Sequence, residues 1–461
     1  MHAQQTTIFA LSTAPVRAAL AVIRLSGADC FAVLEKLTRR PLPPPRLMAV
    51  RKLYHPNNNT LLDEALLVCF CAPASFTGED VAELHVHGGM AVVRSILQIL
   101  GDMPRLRLAE AGEFTRRAVA NGRLDLTAAE AIADLIDAEG DAQQAQALRQ
   151  LEGRLYAQMV TWRDGLAQIL AHLEADLEFA DENLPDDIGQ QVGKKLQSLR
   201  EVMQESLADM RGVRLRDGLR VALLGAPNSG KSSLLNYLAG KEAAIISARA
   251  GTTRDVIEVA LVVRGLAVTL VDTAGLREAG DDIEREGVRR ALNVAKTADI
   301  RLWVRAADAP ETADFSPLSV KAENFEETAD FIVVNKIDQP LLPPKAHPKG
   351  DFAVSAHSGA GIEALLDALG EKLLKLVAGR EAPMLTRERH RHAVAEAVTC
   401  LQRAEHVAAS IAIPIDGAAN GGPELVAEDI RLAVRALGRV IGVVDVEALL
   451  DIVFADFCIG K

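Results

Sequence analysis

Residues 225–232 read Gly225-Ala226-Pro227-Asn228-Ser229-Gly230-Lys231-Ser232, after the apolar run RVALL and before SSLLNYLAG. A strand-like run, a glycine turn and a helix-like run in that order, with the pattern GxxxxGK[ST], predict a phosphate-binding loop. The glycines permit a turn tight enough for backbone N–H groups to surround phosphate. The helix that follows aims its positive end at the same place. Lys231 is spaced to reach the β and γ phosphates and Ser232 to ligate Mg²⁺, with Asn228, Ser229, Gly230 and Ser233 lining the turn. Such a loop sits at the carboxyl edge of a parallel α/β sheet, so this stretch predicts the fold around it.

Working outward, three more loops follow apolar runs. Asp272-Thr273-Ala274-Gly275 comes after VTLV, where Asp272 would meet Mg²⁺ through water and the Gly275 N–H would touch the γ phosphate. Asn335-Lys336-Ile337-Asp338 comes after FIVV. The Asp338 carboxylate suits the two N–H donors of guanine; adenine would leave it unpaired, and an unpaired polar group gives strong discrimination. Ser355-Ala356-His357 comes after FAV, where a backbone N–H would serve guanine O6. Upstream, Gly251-Thr252-Thr253-Arg254-Asp255 offers a threonine that completes Mg²⁺ coordination only with a γ phosphate present, the usual basis of an ordering switch. The expected activity is Mg²⁺-dependent GTP hydrolysis. Leu276 follows Gly275 where many GTPases place a water-orienting Gln, and Leu cannot do that work. Glu284 could take over, or be a solvent-facing acid; Arg254 and Arg277 could neutralise charge, or be ordinary surface groups.

The flanks read differently. Residues 216–380 alternate strand and helix patterns. Residues 1–123 read as mixed α/β, with strands at IFAL, LAVIRLSG, EALLVCFCA and VAELHVHGG, and helices at 90–101 and 109–121. Leu148, Leu151, Leu155, Met159, Trp162, Leu166, Leu170, Leu173 and Leu177 recur at steps of three and four, predicting one long helix with an apolar stripe. A second helical run covers about 190–211, and helix returns from 382, with a loop at 417–424. The fold class expected is α/β plus α: an N-terminal α/β domain (1–123), a helical domain in two pieces (124–213 and 381–461), and an inserted P-loop domain (214–380).

The formal charge of −12 argues against a protein coated in nucleic acid, and any such partner must meet a local patch. Residues 1–123 carry 14 Lys and Arg against 10 Asp and Glu, whereas 124–213 carry 7 against 18, so the first segment suits an anionic ligand better. Five cysteines without a CxxC pair fit a reducing cytosol. Cys69 and Cys71, in LLVCFCA, are expected to pack in a strand. His85 and His87 share one strand face; a metal site there lacks an evident third ligand, and a packing role is the alternative. Neither a signal peptide nor a run of roughly 18 apolar residues is visible, so a cytoplasmic protein off the membrane is expected.

PNSGKSSLLN, AGTTRD, DTAGLRE, FTGED-x-x-EL-x-x-HGG at 76–89, AEAIADLIDA at 129–138 and the terminal FCIGK together resemble the tRNA modification GTPases of the MnmE (TrmE) family. The resemblance implies a folate-binding N-terminal domain, a homodimer formed through it, and a separate FAD-containing partner protein. Together these would add a (carboxymethyl)aminomethyl group at carbon 5 of the wobble uridine of certain tRNAs, with a one-carbon tetrahydrofolate derivative supplying the methylene. It implies G domains that dimerise around K⁺, held by Asn228, Ser247, Arg249 and Thr252, with Thr253 on Mg²⁺ and Glu284 positioning water. It matches Arg24, Glu83, Arg123 and Lys461 to the folate site, Arg123 standing where some members carry Lys. Cys458 either carries the one-carbon unit or packs the tail. A GTP-dependent ribosome-assembly switch without modification chemistry is the competing expectation; the N-terminal segment and tail speak against it.

Overall fold

The computed structural model describes residues 6–178, 188–226, 228–241, 257–272, 294–308, 329–339, 350–379, 382–411, 422–444, 450, 453–454, 457 and 460. The chain forms two compact units, one from residues 1–133, 150–201 and 393–461, the other from 134–149 and 202–392.

The first unit holds a six-stranded sheet built from β1 (Thr7–Leu11), β2 (Leu20–Ser26), β3 (Ala49–Tyr54), β4 (Leu61–Phe70), β5 (Val81–His87) and β6 (Leu106–Leu108), in the order β3-β4-β5-β2-β1-β6. Period-two alternation divides its faces. Ala21, Ile23 and Leu25 of β2, with Leu67 of β4 and Leu84 of β5, pack against helices Cys30–Thr38 and Met90–Gly101. Val22, Arg24 and Ser26 therefore face the other way. There, helix Glu113–Ala120 sets Phe114 against Ile8 and Ala10. That helix is shorter than the predicted 109–121. Gly112 takes a left-handed turn (φ 66°), and a methyl on it would stand 2.7 Å from Phe454, so the backbone presses directly on the C-terminal segment.

The long stripe helix is two helices. Asp141–Leu151 ends and Arg154–Glu178 begins around Gly153 (φ 84°), so the exposed Leu148 lies off the stripe that Leu155, Met159, Trp162, Leu166 and Ile169 bury. Helix Gly422–Ile441 packs along Arg154–Glu178, and its start at Gly422 takes three residues from the expected 417–424 loop. Cys69 is buried in β4 as expected. Cys71 is not: it lies one residue past the strand end and is exposed.

The second unit carries β7 (Leu219–Leu224), β8 (Ile257–Val263), β9 (Leu266–Asp272), β10 (Ile300–Ala306), β11 (Phe331–Asn335) and β12 (Phe352–Ala353), ordered β12-β11-β10-β7-β9-β8. All neighbours run parallel except β8, which returns antiparallel along β9 and makes the sheet mixed. β7 is buried at five of its six positions, as a strand with both faces covered must be. The carboxyl ends of β7, β9, β11 and β12 lie along one edge of this sheet. Among the described residues no helix is long and apolar enough to cross a membrane.

Candidate functional site

The turn after β7 is shaped by close approaches. A methyl on Gly225 (φ 138°) would stand 2.0 Å from the Val304 carbonyl oxygen on β10, so only glycine lets the chain leave the sheet here. Asn228 is left-handed (φ 63°) and exposed. A methyl on Gly230 (φ 92°) would stand 2.2 Å from Asn335 Nδ2. Lys231, 4% exposed, donates from Nζ to the carbonyls of Gly225 and Ala226, both at 2.8 Å. The ammonium is thus held inside the ring of backbone that a phosphate would enter. Ser229 is buried and its hydroxyl has no protein hydrogen-bond partner. A buried hydroxyl without a partner is costly, and a phosphate oxygen is the acceptor that fits it.

The Ser232 hydroxyl donates to Asp272 Oδ2 at 2.6 Å. Two hard oxygens in contact, one anionic and fully buried, fit a Mg²⁺ ion bound with water and substrate phosphates. Ser233 is exposed on the first turn of helix Lys231–Lys241.

The base-recognition loops are fastened to the phosphate loop. Asn335, 1% exposed, donates from Nδ2 to the carbonyls of Ser229 (3.2 Å) and Gly230 (3.3 Å), while its Oδ1 accepts the Ala356 N–H at 3.1 Å. One side chain therefore clamps three loops. The Ala356 N–H is thereby engaged within the protein. Ser355, fully buried, donates to Asp338 Oδ1 at 2.6 Å and accepts the N–H groups of His357 (3.2 Å) and Ser358 (3.0 Å). That hydroxyl, more than the backbone and His357, holds the Asp338 carboxyl below the usual carboxylate range. Lys336 is left-handed (φ 67°), and its Cε lies 3.7 Å from the place of a Gly230 methyl, so its stem borders the same loop. The orienting role of Ser355 and the clamp by Asn335 were not read in the sequence; the only sequence signal for either is a Ser two residues after a strand and an Asn at a strand end.

Ser247, Arg249, Thr252, Thr253, Arg254, Thr273, Ala274, Gly275, Leu276, Arg277 and Glu284 lie outside the described residues, as do Cys458 and Lys461.

A second cluster occupies the open face of the first unit's sheet. Arg24 and Glu83 are cross-strand partners on β2 and β5. Arg24 donates to Glu83 Oε1 from Nε (3.0 Å) and Nη2 (2.9 Å), and its guanidinium lies 5.5 Å from the Phe76 ring centroid and 5.8 Å from that of Phe114. Both side chains are about a fifth exposed, at 22% and 18%. Arg123 runs along the 76–80 loop, its Cγ 3.2 Å from the place of a Gly78 methyl. That loop is anchored below: Ser26 donates to Glu79 (2.7 Å), Arg117 bridges Glu79 (3.0 Å) and Glu113 (2.9 Å), and Arg107 grips Glu113 with two bonds of 2.7 and 2.6 Å. Gly460 reaches this sheet too, its carbonyl accepting from Ser12 at 2.9 Å at the end of β1. His87 bonds Asp63 at 2.7 Å and His85 bonds Glu83 at 3.2 Å; among the described residues no group of three or more His, Cys, Asp or Glu is placed to hold a metal.

A mostly parallel sheet whose carboxyl ends carry a phosphate loop, a Ser–Asp pair fit for a cation and a clamped NKxD loop defines a P-loop GTPase. The TrmE N-terminus model matches residues 7–123 and the MnmE helical domain model residues 126–458. The chain is 49% identical over 456 residues (99% of this chain, 100% of the relative) to the tRNA modification GTPase MnmE of Parvibaculum lavamentivorans. It is 48% identical over 458 residues to that of Paramagnetospirillum magneticum and 47% over 472 residues to that of Rhodospirillum rubrum, each match covering 99% of both chains. The chain belongs to the MnmE (TrmE) family of tRNA modification GTPases.

Proposed function

We propose that this protein is a K⁺-dependent GTPase that works with an FAD-containing partner protein on tRNA. The product would carry a (carboxymethyl)aminomethyl group at carbon 5 of the wobble uridine. The observation that carries the nucleotide reading is the Asn335 clamp, which fixes the phosphate loop and the guanine loops as one rigid receptor. In it, Asp338 takes the two guanine N–H donors, its oxygen aimed by Ser355. Lys231, the backbone N–H groups of Gly230 to Ser233 and the Ser229 hydroxyl hold phosphate oxygens. Ser232 and Thr253 would hold Mg²⁺, with Asp272 meeting it through water, and the ion would supply neutralisation of phosphate charge. Thr273, Ala274 and Gly275 border the γ phosphate, and Glu284 positions water. The exposed, left-handed Asn228, with Ser247, Arg249 and Thr252, would hold K⁺, and the ion would supply positive charge where two G domains meet.

The domains would divide as 1–123 for folate binding and homodimerisation, 124–213 with 381–461 for the helical domain, and 214–380 for the G domain, in a cytoplasmic assembly of homodimer and partner. Arg24, Glu83, Arg123 and Lys461 would bind a one-carbon tetrahydrofolate: basic groups for its glutamate carboxylates, and the Glu83 carboxylate for the pterin N–H donors. Cys458, next to Phe457 in the sequence, would be the candidate carrier of the one-carbon unit.

GTP turnover measured in KCl and in NaCl tests the mechanism. Several-fold faster turnover in KCl, lost in Asn228→Ala, is expected; equal rates in both salts would remove K⁺ from it. Glu284→Ala should slow turnover at least tenfold with GTP affinity nearly intact. Nucleoside analysis of tRNA from cells lacking the protein tests the modification, with the wobble-uridine derivative expected to disappear.

A further inference from the structure

His85 stands two residues after Glu83 on β5, so both side chains leave the same face of the sheet. Its cross-strand neighbours there are apolar, Leu66 on β4 and Val22 on β2. Its ring is only 22% exposed, and Nε2 lies 3.2 Å from Glu83 Oε2. An ionised carboxylate only accepts, so Nε2 must carry a proton and act as donor. Arg24 spends both of its bonds on the other oxygen, Oε1. Glu83 is thus held at both ends: Arg24 on one oxygen, His85 on the other. The Arg24 end is itself fixed by the rings of Phe76 and Phe114.

The geometry points to His85 as a positioning residue for the Glu83 carboxylate, setting the direction in which Glu83 offers its remaining Oε2 lone pair to an N–H donor of a bound pterin. This rests on the tetrahydrofolate reading of the open face and deepens it. A carboxylate on a free side chain rotates about its last bond, and that freedom must be lost on binding. With two guanidinium donors on Oε1 and the imidazole on Oε2, the plane of the carboxylate is set before the ligand arrives. With both Arg24 bonds on Oε1 and His85 on Oε2, the acceptor position left open is the second one on Oε2, the match for one N–H donor of the ligand, a ring N–H or an exocyclic amino group. His85 need not touch the ligand to act in this way.

The test is isothermal titration of the full-length protein with 5-formyltetrahydrofolate at neutral pH. Wild type should bind saturably. His85→Leu, which keeps the volume and removes the donor, should bind roughly tenfold more weakly, a typical loss for one hydrogen bond to a charged group. His85→Gln, which restores an N–H donor, should recover to within about twofold to threefold. In a Glu83→Gln background, His85→Leu should cost nothing further, because a residue acting through Glu83 loses its effect with it. GTP turnover and thermal melting of each variant report intact folding; should His85→Leu melt early, His85→Asn, whose amide stops short of Glu83, replaces it. No binding by wild type would overturn the folate reading and this inference together. Wild-type binding with unchanged affinity in His85→Leu, or additive losses in the double variant, would overturn the role of His85 alone.

Discussion

The Gly230→Ala substitution tests the clamp most directly. The added methyl would stand 2.2 Å from Asn335 Nδ2, and Asn335, 1% exposed, cannot swing aside without releasing its bonds. It makes three: to the carbonyls of Ser229 and Gly230 and from the Ala356 N–H. Releasing them costs about 3 kcal/mol at about 1 kcal/mol each. Holding an L-residue at φ 92° adds about 1–2 kcal/mol. The closed arrangement is then disfavoured by about 4–5 kcal/mol, which at about 1.4 kcal/mol per factor of ten is on the order of a thousandfold in guanine nucleotide affinity. Displacement titration with a fluorescent GDP analogue measures this, and thermal melting of nucleotide-free protein shows whether the loops loosen before nucleotide is added. Asn335→Ala removes the object of the clash, so adding Gly230→Ala to it should cost no more than the backbone part, roughly tenfold. Binding by Gly230→Ala within fivefold of wild type would refute the reasoning, as would full additivity in the double variant.

Three further outcomes concern the first unit. Burial pushes the Glu113 carboxyl up, but Arg107, the Glu110 N–H and Arg117 together outweigh it and hold the group low. A carboxyl lowered by folding contributes stability above its unfolded value near 4.5 and loses it as pH falls through the folded value. Glu113→Gln should therefore destabilise at pH 7 by about 2–3 kcal/mol, since Arg117 keeps Glu79, and the difference from wild type should shrink in acid denaturation below that range. Burial raises the Cys69 thiol to about 11 from its ordinary 9, so the folded protein retains a proton that the unfolded chain gives up. Stability from the neutral thiol is present below about pH 9 and falls between about 9 and 11, a slope that Cys69→Ala should reduce. Native-state titration with a thiol reagent should modify the exposed Cys71 and spare the buried Cys30, Cys69 and Cys400.

Much of the fold was legible because its signals are local. The glycine turn at 225–230, the buried run of β7 and the alternation in LAVIRLSG each depend on residues within one or two turns of chain. Misses came where a distant partner decides. β3, β6 and β8 are edge strands, with weak patterns of their own, completed by β4, β1 and β9. The stripe from Leu148 to Leu177 kept its spacing straight through Gly153, and only the left-handed backbone there ends one helix and begins another. Cys71 shares the apolar run of Cys69, yet the strand stops at Phe70, and period-two counting has no meaning past a strand end.

The same division runs through the sites. Motif spacing names the groups that touch phosphate, cation and base because those contacts are made by loops of fixed length. It does not name the groups that hold those loops, since Asn335 reaches Ser229 across 106 residues and Ser355 reaches Asp338 across 17. An Asn in NKxD invites assignment to the base alone, and in this protein it is also a structural member that makes three bonds to neighbouring loops. His85 repeats the pattern in the other unit: as a lone histidine on a strand it says little, and its meaning comes from the carboxylate beside it and the arginine on the next strand. In both places a side chain that the motif singles out, Asp338 or Glu83, is hydrogen-bonded by a neighbour, Ser355 or His85, whose part in holding it spacing does not name, so its direction is set by side chains that motif reading passes over.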